Sequence, residues 1–128
     1  MIPIVFINCK DVPFVDLIIS ENKIFETRNR DTLGGLVGRR IYLAETGHGK
    51  PVVKCVAEIF KPTVVREKEW FQWFRESTCI PCGSKYDWKD DTKCKYLYPI
   101  GYVERVDPFI PKEGKRHGRV WMECETED

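Results

Sequence analysis

Lys23, Glu26 and Arg28 lie close together in the stretch Glu21-Asn22-Lys23-Ile24-Phe25-Glu26-Thr27-Arg28. A strand here puts Glu26 and Arg28 on the same side, because strand side chains alternate between faces. Lys23 sits at the junction with a preceding helix, where its long side chain can swing toward the same cleft. An ammonium, a carboxylate and a guanidinium converging beside a helix end can bind a nucleotide phosphate or a base edge. The same spacing also suits a solvent-facing ion-pair ladder on a strand. If burial moved their pKa values, Lys23 and Glu26 could also do acid–base work.

Cys79-Ile80-Pro81-Cys82-Gly83 has the form of a zinc knuckle, with two thiolates at C-x-x-C spacing and a glycine that lets backbone amides turn toward sulfur. Cys94 is a candidate third ligand. No fourth ligand sits at standard spacing, and His117, Cys124 and Cys9 qualify only if the fold brings them close. Free thiols in a loop are the competing reading, and a bound zinc here would be structural. His48 and His117 lie in glycine-containing turns, which favours surface positions over a Cys–His catalytic pair. The Gly34-Gly35…Gly38 loop lacks the spacing and the following helix of a phosphate-binding loop.

The elements that must position these residues follow from periodicity. Residues 2–7 are nearly all apolar and predict a strand buried on both faces. Asp11 is placed to cap a helix over 12–22, with Phe14, Leu17 and Ile18 on one stripe and Val15 and Ile19 beside them. Strands are expected over 24–28, 39–44, 52–60, 96–106 and 119–125. A second helix is expected over 67–76, with Trp70, Phe71, Trp73 and Phe74 on its apolar, core-facing side. Residues 77–95 show no clear period. A loop of that length in a compact domain is usually functional, metal-clipped or mobile.

The chain has 128 residues, 42% apolar and 32% charged, which suits one globular domain over 1–128 with a cysteine-containing loop insertion at about 77–95. No apolar run approaches the length of a membrane span. The absence of an export signal makes a reducing, cytoplasmic setting the expectation for the six cysteines. Net charge is only +1, yet basic residues gather in two segments. Residues 28–40 hold Arg28, Arg30, Arg39 and Arg40 against Asp31, and residues 112–119 hold Lys112, Lys115, Arg116 and Arg119 against Glu113. Such a distribution allows a local positive face for a phosphate-bearing partner, or an ordinary solvated surface. Trp121 and Tyr42 are aromatic candidates for stacking on a base. The element order predicts an α+β fold, a small and mostly antiparallel curled barrel carrying two helices.

An apolar helix, then G-x-K-x-x-E-x-R, then a strand resembles the signature of ASCH domains in the PUA-like superfamily. Lys23, Glu26 and Arg28 match it, and Glu21 replaces the leading glycine. The stretch Gly38-Arg39-Arg40-Ile41-Tyr42-Leu43-Ala44 looks like the family's third element, and residues 52–60 like its next strand. Pro111-Lys112-Glu113-Gly114 followed by Val120-Trp121 is similar to its closing segment. The resemblance implies a curled PUA-like β-barrel flanked by helices, with a cleft near the motif that binds RNA or a nucleotide. Lys23, Glu26 and Arg28 would then line the cleft, with Arg30, Arg39, Lys115, Arg116 and Trp121 around it. One subgroup of the family removes the acyl group from acetylcytidine with its motif lysine and a threonine three residues later. Here that position is Glu26, and Thr27 is expected on the opposite strand face. A hydrolase or ribonuclease using Lys23 and Glu26 is therefore the first rival, and a protein-interaction module built on the Cys79–Cys94 loop is the second. No cofactor is expected beyond the zinc considered at Cys79, Cys82 and Cys94.

Overall fold

The structure, a computed structural model, describes residues 2–118 and 120–124, the side chain of Cys124 excepted. Along the chain run β1 (Ile2–Asn8), α1 (Phe14–Ile19), β2 (Phe25–Arg28), a 3-10 turn (Gly34–Leu36), β3 (Arg40–Thr46), β4 (Val52–Ile59) and β5 (Thr63–Val65). Then come α2 (Lys68–Gln72), α3 (Arg75–Thr78), β6 (Lys95–Phe109), β7 (Arg116–His117) and β8 (Trp121–Cys124). The strands form one curled sheet in the order β2-β6-β4-β3-β1-β8-β7, with β5 paired to β6 off that path. β1 runs parallel to β3, and the other pairings are antiparallel. The result is the expected α+β architecture, a mostly antiparallel half-barrel with a few short helices.

The continuous apolar run of β1 is explained by its central place in the sheet, between β3 and β8. Val5 and Ile7 enter the large core with Phe14, Ile18, Leu43, Phe71 and Leu97. Ile4 and Phe6 join a smaller cluster with Ala44, Val53 and Met122. Both faces are covered, so alternation has no reason to appear. The long β6 bends the sheet: residues 95–99 pair with β2 and β5, and residues 100–109 pair with β4. The register against β4 shifts between Val56 and Glu58, and Tyr102 takes a φ of 51°. Such irregularities sharpen local twist and bend the strand.

Several expectations need correction. The first helix is shorter than residues 12–22, because Pro13 disfavours helical geometry at Val12 and Glu21 leaves the helix with a φ of 65°. Asp11 does not cap it and pairs with Lys85 at 3.2 Å. The helix expected over 67–76 breaks at Phe74 into α2 and α3. Trp70 and Trp73 are 56% and 80% exposed and touch each other at a tilt, so they are not core residues. Five residues of helix turn only one side inward, and Phe71 takes it. Phe74 packs edge-on against Phe25. The short strands β5 and β7 were not foreseen. Of the last expected strand, Arg119 and Glu125 lie outside the described residues.

Candidate functional site

The position of Lys23 is set by the way α1 ends. The Glu21 amide bonds Ile18 O and the Asn22 amide bonds Leu17 O, each at 3.0 Å, with Glu21 in the left-handed region. This is a Schellman stop, whose left-handed position usually holds glycine. The turn releases Lys23 inward, where it is only 2% exposed. Its ammonium donates to the Thr78 carbonyl at 2.6 Å, lies 3.7 Å from Glu26 Oε1 and sits 4.7 Å above the Phe14 ring centroid. Thr78 closes α3, so Lys23 satisfies one of the carbonyls that a helix end leaves open. Cys79, the residue after it, takes a φ of 56° and forms that helix stop.

β2 carries the other two motif residues on one side, as its alternation predicts. Glu26 Oε2 accepts from Arg28 at 2.9 Å, and Oε1 accepts from the Thr27 amide at 3.2 Å. The same Arg28 nitrogen reaches the Phe6 carbonyl of β1 at 3.2 Å. The three motif residues therefore tie α1, α3, β2 and β1 together at one point.

They line a cleft of about 430 Å³ whose wall also includes Asn8, Phe14, Thr27, Thr46, Ile80, Lys85, Tyr86 and Lys95. Four cations, Lys23, Arg28, Lys85 and Lys95, face it against one carboxylate, Glu26. Burial pushes the Lys23 ammonium below the ordinary lysine pKa, and the nearby Glu26 charge offsets only part of that. Lys95 is 5% exposed and donates to the Tyr86 carbonyl at 3.0 Å. Its pKa is likewise lowered by burial, with partial relief from Asp87.

The far wall of the cleft is the cysteine-containing loop, which spans 79–94 between α3 and β6. Asp87 anchors it. Its carboxylate accepts from the Gly83 amide at 2.7 Å, the Trp88 amide at 2.8 Å and Arg75 at 3.0 Å. Burial works to raise the Asp87 pKa, but these bonds outweigh it and hold the carboxyl below the usual value. Cys79, Cys82 and Cys94 do not gather: Cys79 Sγ faces Glu76 O at 3.4 Å and Cys94 Sγ faces Asn29 O at 3.9 Å. Among the described residues no three histidine, cysteine or acidic side chains come together where they could hold a metal ion.

The remaining sequence candidates stand elsewhere. Arg30, Arg39 and Lys115 are exposed and do not line the cleft. Arg116 pairs with Glu113 and lies 4.8 Å from the Phe6 ring, on the side of the smaller core cluster. Trp121 stacks on His117 at 3.8 Å, which covers one ring face. Tyr42 packs edge-on against Phe109. His48 bonds the Cys9 carbonyl at 2.8 Å. Thr27, expected to face away from the site, contributes to the cleft wall.

Sequence reasoning missed Lys95, Tyr86, Lys85 and the Thr78 carbonyl. Lys95 had a usable signal: strand parity places it with Leu97, which is fully buried. The others come from a loop whose path carries no periodic signal.

No family model matches the sequence, and no curated protein matches it either. Solved structures do. The chain is similar to the crystal structure of ASCH from Zymomonas mobilis, with a TM-score of 0.68 and 16% identity, over 84% of this chain and 72% of that one. A serine-to-alanine mutant of the Zymomonas mobilis protein aligns with the same TM-score and coverage at 17% identity. The fold is thus that of ASCH domains, as the motif and element order had implied.

Proposed function

We propose that this protein binds RNA or a nucleotide in the cleft formed by Lys23, Glu26 and Arg28. The observation that carries this proposal is the cleft's composition: four cations and one carboxylate around a concave site of about 430 Å³. That size suits one nucleotide unit and falls in the range of small-ligand pockets. A duplex would need an extended surface, whereas a strand end or an unstacked nucleotide can enter a cleft. The likeness to ASCH structures supports the proposal at the level of fold, and fold alone does not fix function. Arg30, Arg39 and Lys115 are exposed and stand outside the cleft lining, so the cleft residues carry the proposal. Among the described residues Cys9, Cys55, Cys79, Cys82 and Cys94 are free thiols, which suits a reducing compartment such as the cytoplasm. Among the described residues no helix is long and apolar enough to cross a membrane.

The test is titration of a fluorescent single-stranded hexaribonucleotide into wild type, Lys23→Met and Arg28→Ala. Each variant is expected to lose about tenfold or more in affinity, the scale of one charge-assisted contact. Unchanged affinity in both folded variants would refute the cleft as the site.

Hydrolysis at the same place is a second reading, favoured by the lowered Lys23 pKa beside Glu26. The hydroxyl used by the acetylcytidine-cleaving subgroup is absent at position 26, where Glu26 instead bonds Arg28. Turnover of acetylcytidine or RNA that disappears in Lys23→Met would establish the hydrolase.

A further inference from the structure

Lys95 differs from the other cations of the cleft. Arg28 is engaged by Glu26 and the Phe6 carbonyl, Lys85 pairs with Asp11, and Lys23 has Thr78 O and Glu26. Among the described residues no carboxylate lies within ion-pair distance of Lys95, and its one hydrogen bond goes to the Tyr86 carbonyl. Asp87, whose charge bears on it, is committed to Arg75, Gly83 and Trp88. An ammonium carries three donors, so two of those on Lys95 have no protein acceptor among the described residues. The residue is nevertheless 5% exposed, and the other contact of its ammonium is the Phe71 ring face, 5.8 Å from nitrogen to centroid, which is no substitute for a counter-charge. Tyr86, its acceptor, lines the same cleft. A buried cation with no carboxylate at ion-pair distance is costly, and an anion entering the cleft supplies the missing partner.

The geometry points to Lys95 as an anion subsite that takes a phosphate group, so that the ligand of this cleft is a phosphorylated nucleotide and not a neutral nucleoside. This rests on the cleft being the ligand site, and it narrows the ligand's chemical class. Lys85, exposed beside Tyr86, lies on the same stretch of wall and adds to the positive potential there. A free nucleotide and an RNA strand offer the same phosphate chemistry, and the experiment separates them.

Calorimetric titration of wild type, Lys95→Met and Lys95→Gln would use the four ribonucleosides, their 5′-monophosphates and hexauridylate. In wild type the monophosphates are expected to bind about tenfold or more tightly than the nucleosides, and in both variants this increment falls below about twofold. Hexauridylate binding much more tightly than the monophosphates, with the same dependence on Lys95, assigns the subsite to a strand. Comparable affinities assign it to a free nucleotide. Inorganic phosphate gives a check on wild type alone, where it is expected to compete with the monophosphate. Nucleosides and monophosphates binding equally, an increment that survives in both variants, or no competition by phosphate would overturn the subsite and leave the cleft standing. No binding by any nucleoside, monophosphate or hexauridylate would overturn the cleft assignment and the subsite with it.

Discussion

Glu21 occupies the left-handed position of the stop that delivers Lys23, with a φ of 65°. A side chain there crowds the following carbonyl, which is why the G-x-K pattern carries glycine. Glu21→Gly is therefore expected to stabilise the fold by about 1 kcal/mol, read from urea denaturation, with the Lys23 environment unchanged. The two buried lysines have the opposite economy. Both are held below the ordinary lysine value of 10.5 by burial. Between the lowered pKa and 10.5 the native state binds fewer protons than the unfolded chain, so stability rises with pH through that window and is lowest beneath it. Lys95→Met removes the buried charge, and with it the ammonium contact to the Phe71 ring, while leaving an apolar side chain in its place. Its melting temperature at neutral pH is expected to exceed wild type by about 3 °C, the scale of about 1 kcal/mol in a domain of this size. The gain should shrink as the pH approaches 10.5. Stability given up at a cleft lysine fits a residue kept for binding.

At the scale of elements, α1, α3, β2 and the loop over 79–94 converge on the cleft, and each is short or irregular. Their positions depend on tertiary bonds more than on local propensity. Asp87 is the main anchor of the loop, through Arg75, Gly83 and Trp88. Asp87→Ala leaves those donors without their acceptor and is expected to cost about 2 kcal/mol, with faster amide exchange at Gly83 and Trp88. The stabilisation from Asp87 is complete above its ordinary pKa of 3.8 and fades as the pH falls through the lowered value. This scale also shows what the sequence made legible. The pairing of Glu26 with Arg28 followed from strand parity, and β1 from its apolar run. Trp70 and Trp73 misled because helical spacing fixes a shared face and does not say whether that face is covered. The loop wall was illegible because Asp87 holds it through contacts with no sequence period. Lys95 could have been placed by its parity with Leu97.

At the scale of the molecule, a net charge of +1 leaves little long-range attraction, so the local field of the cleft must carry recognition. Affinity for a single-stranded hexaribonucleotide should fall with salt at a log–log slope of about −2, the value for about three phosphate contacts. The curled sheet brings β1, β2 and the start of β6 to one end, so that residues far apart in sequence, Lys23 and Lys95 among them, share a wall. Arg116 and Trp121 do not line that cleft. The most direct test is an amide NMR titration of the wild-type protein with each ribonucleoside 5′-monophosphate. Shifts concentrated at Asn8, Lys23, Glu26, Arg28, Ile80, Tyr86 and Lys95 are the result expected of a nucleotide-binding cleft. Shifts centred on Arg116 and Trp121, or none at all, would contradict it.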